Sequence, residues 1–359
     1  MGLLAALVAA TWLLALPQPP GPSGRVGSPA GSSGGNTLHD RWPQARVVSA
    51  SGRLAGGRAY RPLFYPEVDV SVGTALTDDG SELRLLVRTA NGDDREIMRL
   101  ATANRPQIQG MTAAGDDLVW LVAPDGTDTR FVLYRTNWRE PGPPTPLTSD
   151  TGRVEINDTR YDVVIADGLV HWAAATAGGS TEVRSVPLAG GSVSVRTVDG
   201  AYALSAWPWL TSVGSVNSAP PELRNLVTGN RVTVPWIPTE VVWCGPVWCR
   251  VMTRTADGRL ARTELMHPDG TARVRVAAGT VSSALTDVAL DDRFEILVST
   301  IPDAGTDNLK LVLYDLTANR STLLVAAAAT VQGRGSVVWW STGDEPAVTW
   351  HALDLRTLR

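Results

Sequence analysis

Short runs of apolar residues recur along the chain, and each follows a turn rich in Asp or Gly. Clear examples begin at Leu118, Leu169, Phe294 and Val337. These runs are too short for helices and are largely apolar throughout, which is typical of strands buried on both faces. No stretch after residue 17 has the period of a long amphipathic helix, and 34 glycines and 24 prolines supply frequent turns. The pattern predicts an all-β protein.

The spacing of these runs is regular along most of the chain. Seven anchors, of which the fourth is degenerate, lie at residues 83, 118, 169, about 209, 248, 294 and 337. Their mean separation of roughly 42 residues lies within the ~40–45 residues of a propeller blade. Strands in the middle of a blade are covered by both neighbouring blades, which explains their apolar character. We therefore expect a β-propeller of seven four-stranded blades, with six as the alternative count.

The last repeat ends before its fourth strand. The sixth unit continues into an outer strand at 321–325, whereas the seventh stops at Arg359 soon after the strand at 349–355. A candidate for the missing strand lies at 45–49, before the first full unit. We expect this N-terminal strand to complete the last blade and to close the ring.

The N-terminal region differs in composition from the repeats. Residues 3–16 form an apolar run that is followed by a tract rich in Pro, Gly and Ser. A run of this length suits the core of a signal peptide better than a membrane span of ~20 residues. No cysteine ends the run, so a lipoprotein anchor is not supported. We expect a signal peptide or short membrane anchor at 1–17, a linker at 18–41 and the propeller at 42–359.

Composition narrows the classes of partner. The net charge is −4 and no long run of either sign occurs, so the chain lacks the basic footprint of a nucleic-acid-binding protein. A hydrophobic fraction of 43% and a charged fraction of 19% are typical of a folded globular chain. Lys310 is the only lysine, which is typical of coding in a GC-rich genome.

The second unit has the most regular pattern of the seven. A turn at 114–117 precedes an apolar strand from Leu118, a second strand ends in Tyr134, and Pro-Leu-Thr follows at 146–148. This unit resembles the repeat of TolB-like propellers and, more broadly, of WD-repeat-like propellers. The resemblance is partial in the third and sixth units. The motif describes how a blade turns and carries no chemistry of its own, so it indicates the propeller fold. TolB-like propellers act as interaction platforms of the cell envelope, and the resemblance implies that role here.

Cys244 and Cys249 are the only cysteines. The stretch begins Trp-Cys-Gly-Pro, but four residues separate the cysteines, whereas redox motifs keep two. If a hairpin turn centres on Pro246-Val247, the two cysteines face each other ~4.5 Å apart at Cα, within the range of a disulfide. We expect a structural disulfide formed in an oxidising compartment, with a free buried pair or a redox centre as alternatives.

Other candidate site residues have structural explanations. The four histidines (His39, His171, His267 and His351) lack the spacing of a metal site, and we expect His171 to be a hydrogen-bonded core residue. Residues 31–35 match G-x-S-x-G but lack the strand and helix of a nucleophile elbow. Aspartates recur where the turns need them, at Asp78, Asp79, Asp116, Asp117, Asp167, Asp291 and Asp292.

Most of the 13 tryptophans lie on the repeated strands, where packing between blades explains them. Four lie in less regular segments and are candidates for stacking on a sugar, namely Trp138, Trp207, Trp209 and Trp236.

These observations predict an exported, non-catalytic propeller that serves as an interaction module of the cell envelope. We expect a protein or glycan partner, a monomer, no nucleic acid, and membrane contact only through residues 3–16. No catalytic residue, metal or cofactor is predicted. The alternative is a lyase or glycan hydrolase whose site is built from loops of several blades. His, Arg and carboxylates converging at the channel mouth would favour the enzyme, whereas Ala, Ser, Val and backbone would favour the interaction module.

Overall fold

The computed structural model describes residues 37–126, 130–213, 219–302, 305 and 308–359. These residues form seven antiparallel blades arranged in a ring, which confirms the predicted β-propeller and its count of seven. The predicted signal peptide or anchor, the G-x-S-x-G match and most of the linker lie outside the described residues. Within the described ranges, no helix has the length and apolarity needed to cross a bilayer.

The blades follow one another in chain order, and each is built mainly from consecutive strands. Blade 1 contains β2 (Arg61–Glu67), β3 (Val70–Leu76), β4 (Glu82–Thr89) and β5 (Asp94–Ala101). Blade 2 contains β6 (Gln107–Ala114), β7 (Asp117–Ala123), β8 (Val132–Asn137) and β9 (Thr145–Thr148). Blade 3 contains β10 (Arg153–Val154), β11 (Val163–Ala166), β12 (Leu169–Ala175), β13 (Thr181–Pro187) and β14 (Ser194–Val198), with both β10 and β11 paired to β12.

The remaining blades complete the ring. Blade 4 contains β15 (Tyr202–Leu204), β16 (Trp209–Ser212), β17 (Glu222–Asn225) and β18 (Arg231–Thr233). Blade 5 contains β19 (Glu240–Cys244), β20 (Cys249–Arg254), β21 (Leu260–Met266) and β22 (Val274–Ala278). Blade 6 contains β23 (Ser282–Ser283), β24 (Phe294–Thr300), β25 (Leu309–Asp315) and β26 (Arg320–Ala328). Blade 7 contains β27 (Thr330–Arg334), β28 (Val337–Thr342), β29 (Thr349–Asp354) and β1 (Arg46–Ser51).

The second strand of a blade is buried on both faces, as its apolar sequence predicts. In β7 every residue from Leu118 to Ala123 is buried. Trp120, Trp172 and Trp339 lie on the second strands of three blades and are fully buried. Side chains from neighbouring blades pack on these strands, so the hydrophobic core is a series of clusters between blades.

One anchor of the sequence repeat is misplaced. Residue 83 lies on β4, the third strand of blade 1, whereas the second strand is β3. That strand contains Gly73, where an added Cβ would lie 2.3 Å from the Arg61 carbonyl oxygen. Because close approach of the backbone requires a glycine there, β3 lacks the continuous aliphatic run that marks the second strands elsewhere.

The N-terminal strand closes the ring as predicted. β1 pairs antiparallel with β29 over six residues, from Arg46 opposite Asp354 to Ser51 opposite Thr349. The chain that leads into β1 also packs on the propeller, because the short helix α1 (Leu38–Arg41) buries Leu38 against blades 6 and 7. Trp42 makes an edge-to-face contact with Phe294, with ring centroids 6.2 Å apart.

His351 connects three strands of the closing blade. Its Nδ1 atom lies 2.8 Å from Ser49 Oγ on β1, and its Nε2 atom lies 2.9 Å from Thr342 Oγ1 on β28. Burial lowers the pKa of His351 below its ordinary value. The folded protein therefore favours the neutral imidazole at this position.

Deleting residues 42–52 should lower the stability of the whole domain. The deletion removes the β1 ladder and buried Trp42, and losing a buried tryptophan alone costs about 3–5 kcal/mol. Urea unfolding of the full chain and of the deletion measures the difference. A truncated protein that unfolds at the parent's midpoint would contradict ring closure by this strand.

Substitution His351→Gln should weaken the acid sensitivity of folding. Because the folded-state pKa of His351 is lowered, its contribution to stability is complete above the ordinary value of about 6.5 and declines as the pH falls below it. The free energy of unfolding, measured at several pH values between about 5 and 7.5, should fall less in the variant than in the parent. Parallel curves for the two proteins would rule out this role for His351.

Candidate functional site

A cavity of about 490 Å³ is lined mainly by residues of blades 4 and 5. Its walls include residues of the inner strands β15 and β19 and of the turn at 245–248. Residues from 157–161 of blade 3 and from 286–292 of blade 6 complete the lining. Four blades therefore contribute to one cavity, which is how propellers commonly assemble binding sites from single loops.

Five aromatic side chains contribute to the lining, namely Tyr161, Tyr202, Trp236, Trp243 and Trp248. The Tyr202 hydroxyl donates to Glu222 Oε1 at 2.6 Å. The indole nitrogen of Trp236 donates to the Glu240 carbonyl at 2.8 Å. The indole nitrogen of Trp248 donates to the main-chain carbonyl of Asp292 at 2.9 Å. Because these polar atoms are bonded within the protein, the rings offer mainly apolar and π surface to a ligand.

Four carboxylates line the same cavity, namely Glu222, Glu240, Asp287 and Asp292. Glu240 is almost fully buried and forms an ion pair with Arg273. Asp287 is 6% exposed, and its Oδ1 accepts the backbone N–H of Arg160 at 3.0 Å. Its Oδ2 is buried and has no hydrogen-bond partner among the described residues. Burial raises the pKa of Asp287, although Arg160, Arg334 and Arg250 lie close enough to oppose the shift.

The segment 155–162 separates this cavity from a second one. Asn157, Thr159 and Tyr161 line the first cavity, whereas Asp158 lines a cavity of about 420 Å³ whose other walls come from blades 1, 2, 6 and 7. Arg334 of blade 7 fixes the segment by donating to the Thr159 carbonyl at 2.8 Å. The segment therefore reaches from blade 3 to blades 6 and 7 between the two cavities, and we call it the partition.

The Asp162 side chain stabilises segment 155–162 through hydrogen bonds within the segment. Its carboxylate accepts the backbone N–H groups of Asn157 at 3.0 Å and Thr159 at 3.2 Å, and the Thr159 hydroxyl at 3.1 Å. Burial raises the pKa of Asp162 to about 6 despite these bonds. Its hydrogen bonds fold the segment into a compact turn.

A buried ion pair fixes the blade 6 wall of the cavity. Arg250 Nη2 lies 2.6 Å from Glu295 Oε1, and both side chains are at most 4% exposed. Arg250 also donates to the carbonyl groups of Leu285, Thr286 and Asp287, at 2.6–3.2 Å. Since a buried charge must be fully paired, this network holds the backbone that carries Asp287 in one conformation.

The predicted disulfide is present and borders the cavity. Cys244 and Cys249 are bonded across the β19–β20 hairpin, with their Cα atoms 4.0 Å apart. Gly245 N–H donates to the Trp248 carbonyl at 2.8 Å, so the turn centres on Pro246-Val247 as expected. Cys244 itself lines the cavity, and the bridge fixes the turn that carries Trp248.

The four histidines do not form a site together. His171 is buried as predicted, but its ring stacks on Trp207 at 3.6 Å, and neither nitrogen has a hydrogen-bond partner in the described part of the chain. The hydrogen bond expected for His171 is therefore not seen at ordinary hydrogen-bond geometry among the described residues, although the Ala166 backbone lies close enough to affect the pKa of the ring. His39 is exposed on α1, and His267 packs on Trp248. No three His, Cys, Asp or Glu residues among those described are grouped to hold a metal ion.

Of the tryptophans proposed for surface stacking, Trp138 is buried and the other three are partly buried. Trp138 is 4% exposed and donates its indole N–H to the Gly115 carbonyl. Trp207 covers His171, and Trp209 packs against the core of blades 4 and 5. Only Trp236 of the four lines the cavity in the described structure. Sequence reasoning missed Trp243 and Trp248, although both flank the cysteines that it singled out.

The recurring aspartates stabilise turns, and one of them also lines the cavity. Asp167, Asp291 and Asp292 adopt left-handed backbone conformations at φ of 50–54°, which Asp tolerates better than most residues. Asp292 also lines the cavity. Four carboxylates line the first cavity, and two arginines with one aspartate line the second, but no histidine lines either of them among the described residues.

Comparisons with known proteins show the fold and nothing finer. No family model matches the chain, and no curated protein sequence matches it significantly. A puromycin-hydrolysing peptidase of Mycobacterium tuberculosis is 16% identical over 93% of this chain, with a TM-score of 0.50, and the chain spans 55% of that peptidase.

Two further solved structures are similar in shape. An uncharacterised protein of Listeria monocytogenes is 9% identical over 84% of this chain and 93% of its own, with a TM-score of 0.51. The putative TolB of Agrobacterium tumefaciens is 13% identical over 68% of this chain and 87% of its own, with a TM-score of 0.41. The Mycobacterium and Listeria structures, with TM-scores of 0.50 and 0.51, show at these identities only the fold that the chain shares, and the fold leaves its activity open.

Proposed function

We propose that this protein is an exported, non-catalytic interaction module of the cell envelope that binds its ligand in the cavity of blades 4 and 5. The cavity itself carries the proposal. Its volume of about 490 Å³ lies within the roughly 300–1,000 Å³ of small-ligand sites. Aromatic rings and a few placed polar groups line it, as in such sites.

The bonding of the charged groups around the cavity supports binding in preference to catalysis. Arg250 and Arg334 donate to main-chain carbonyls, and Asp162 accepts from main-chain N–H groups. These side chains fix the loops that form the walls. A preformed site of this kind lowers the entropic cost of binding a ligand.

Two features support export as part of the proposal. The Cys244–Cys249 disulfide is of a kind that persists in oxidising compartments. The apolar run at 3–16 has the length of a signal-peptide core or a short anchor. A monomer with a protein or glycan partner fits this setting.

Asp287 favours one second candidate function, a carboxylate-dependent lyase or glycan hydrolase. Its Oδ2 has no partner among the described residues, and burial raises its pKa, as suits a general acid. Asp292 lines the same cavity and offers a second carboxylate. Turnover of a polysaccharide panel by the parent and its loss in Asp287→Asn would favour this enzyme over the interaction module.

Substitution Ala219→Trp should block the cavity without disturbing the core. Ala219 is exposed and lines the cavity, so an indole there fills space at its rim. Fragments that give saturation-transfer NMR signals with the parent should lose most of that signal with the variant. Ala318→Trp, at an exposed turn of blade 6, is the matched control and should retain it. Equal signals with Ala219→Trp would show that ligands do not use this cavity.

Deleting residues 3–16 should abolish export. A fusion of the full chain to alkaline phosphatase should be active in a bacterial host, since that reporter matures only outside the reducing cytoplasm. The same fusion without the apolar run should be expressed but inactive. Activity that survives the deletion would contradict export by this segment.

A further inference from the structure

The charged side chains that line the cavity are all acidic in the described structure. Glu222, Glu240, Asp287 and Asp292 line it, whereas no Arg, Lys or His among the described residues does. Two of these carboxylates are paired with arginines, Glu240 with Arg273 and Glu222 with Arg231. Arg160 donates to the Tyr161 hydroxyl. The carboxylates of Asp287 and Asp292, which form no ion pair within the described ranges, are therefore the ones available to a ligand.

Asp287 has an unfilled hydrogen-bonding position. The residue is 6% exposed, and its Oδ2 is buried without a partner among the described residues. A buried acceptor that lacks a donor is costly. A charged donor is the partner that would stabilise it most, since ionised hydrogen bonds are stronger than neutral ones.

Asp292 brings a second negative charge to the same end of the cavity. It is exposed and forms no ion pair within the described ranges. Burial raises the pKa of Tyr161, and the carboxylates of Asp287 and Asp292 act in the same direction, so both lie within electrostatic range of one hydroxyl. Arg160 partly offsets them, with its guanidinium 4.7 Å from the Tyr161 ring.

The aromatic residues suit the same kind of ligand. The faces of Trp and Tyr rings attract cations through their quadrupole, and several rings around one site bind ammonium groups in other proteins. Trp236, Trp243 and Trp248 line the cavity together with Tyr161 and Tyr202. Trp243 remains 44% exposed, so part of its surface is open to a ligand.

We propose that the cavity binds an organic cation, a protonated amine or guanidinium, either as a small molecule or as a basic side chain of a peptide. This inference rests on the proposed function, because it names the ligand class of the same cavity. The carboxylates would pair with the cationic group, and the indole and phenol rings would contact its apolar frame.

Three probes of nearly equal shape test the charge requirement. Benzamidinium is cationic, benzamide neutral and benzoate anionic, and isothermal titration calorimetry with the full-length protein measures each affinity. We expect benzamidinium to bind at least about tenfold more tightly than benzamide and benzoate not to bind. Equal or tighter binding of benzamide or benzoate would overturn the cation inference while leaving a ligand-binding cavity in place.

Isosteric Asp→Asn variants identify which carboxylates bind the cation. Asp287→Asn keeps an oxygen for the Arg160 N–H and should weaken benzamidinium binding about tenfold without changing that of benzamide. Asp292→Asn should act in the same direction, and its exposed position spares the fold. Asp257→Asn makes the same charge change at an exposed turn of blade 5, outside the cavity, and should have no effect. A loss in Asp257→Asn equal to that in Asp287→Asn would show a general field effect and overturn the assignment.

Peptides distinguish the two sources of the cation. N-acetyl-Gly-Arg-Gly-amide should bind more tightly than propylguanidinium if the natural ligand is a peptide, and no more tightly if it is a small molecule. Either result supports a cation site. If none of the cations binds but Ala219→Trp still blocks the binding of other fragments, the cation inference is wrong and the proposed ligand-binding function still stands. If no fragment binds either, the proposed function fails with it.

Discussion

The antiparallel pairing of β1 with β29 is the contact on which the rest of the fold depends. Each blade buries its apolar faces only on its neighbours, so a ring held open at one position would expose the faces of blades 1 and 7. Six residue pairs close that position. Contacts between the segments that flank the propeller add to it, since Gln44 donates to the Arg359 carbonyl at 2.7 Å and the Arg46 N–H donates to Thr357 Oγ1 at 2.9 Å.

Closure also determines where the partition at 155–162 can be held. The segment belongs to blade 3, yet it also bonds to Asp287 of blade 6 and Arg334 of blade 7. Those two blades lie across the ring from blade 3 only because the ring is complete. The partition in turn separates the cavity that contains Tyr161 from the one that contains Asp158. The geometry of the two cavities therefore depends on closure of the whole ring.

Buried charges give the ring specific contacts in addition to hydrophobic packing. Asp315 is fully buried and pairs with both Arg41 and Arg293, which joins the N-terminal helix to blade 6. Arg250 and Glu295 join blades 5 and 6 in the same way. Such pairs add little net stability, because desolvation offsets attraction. Their effect is to fix which surfaces meet, and the cavity walls of blades 5 and 6 are positioned by one of them.

The sequence by itself determined the strands, the seven blades, the closing strand and the disulfide. Each depends on residues that are close in sequence or on a regular repeat, as Cys244 and Cys249 illustrate. The misplaced anchor in blade 1 shows the limit of that repeat, since Gly73 interrupts the apolar run. Only the tertiary structure decided the cavity. Tyr161, Trp243 and Asp287 come from three blades, and Asp287 lies outside the strands, so no local pattern relates them. These residues come together only when the ring closes, which requires that all seven blades are folded.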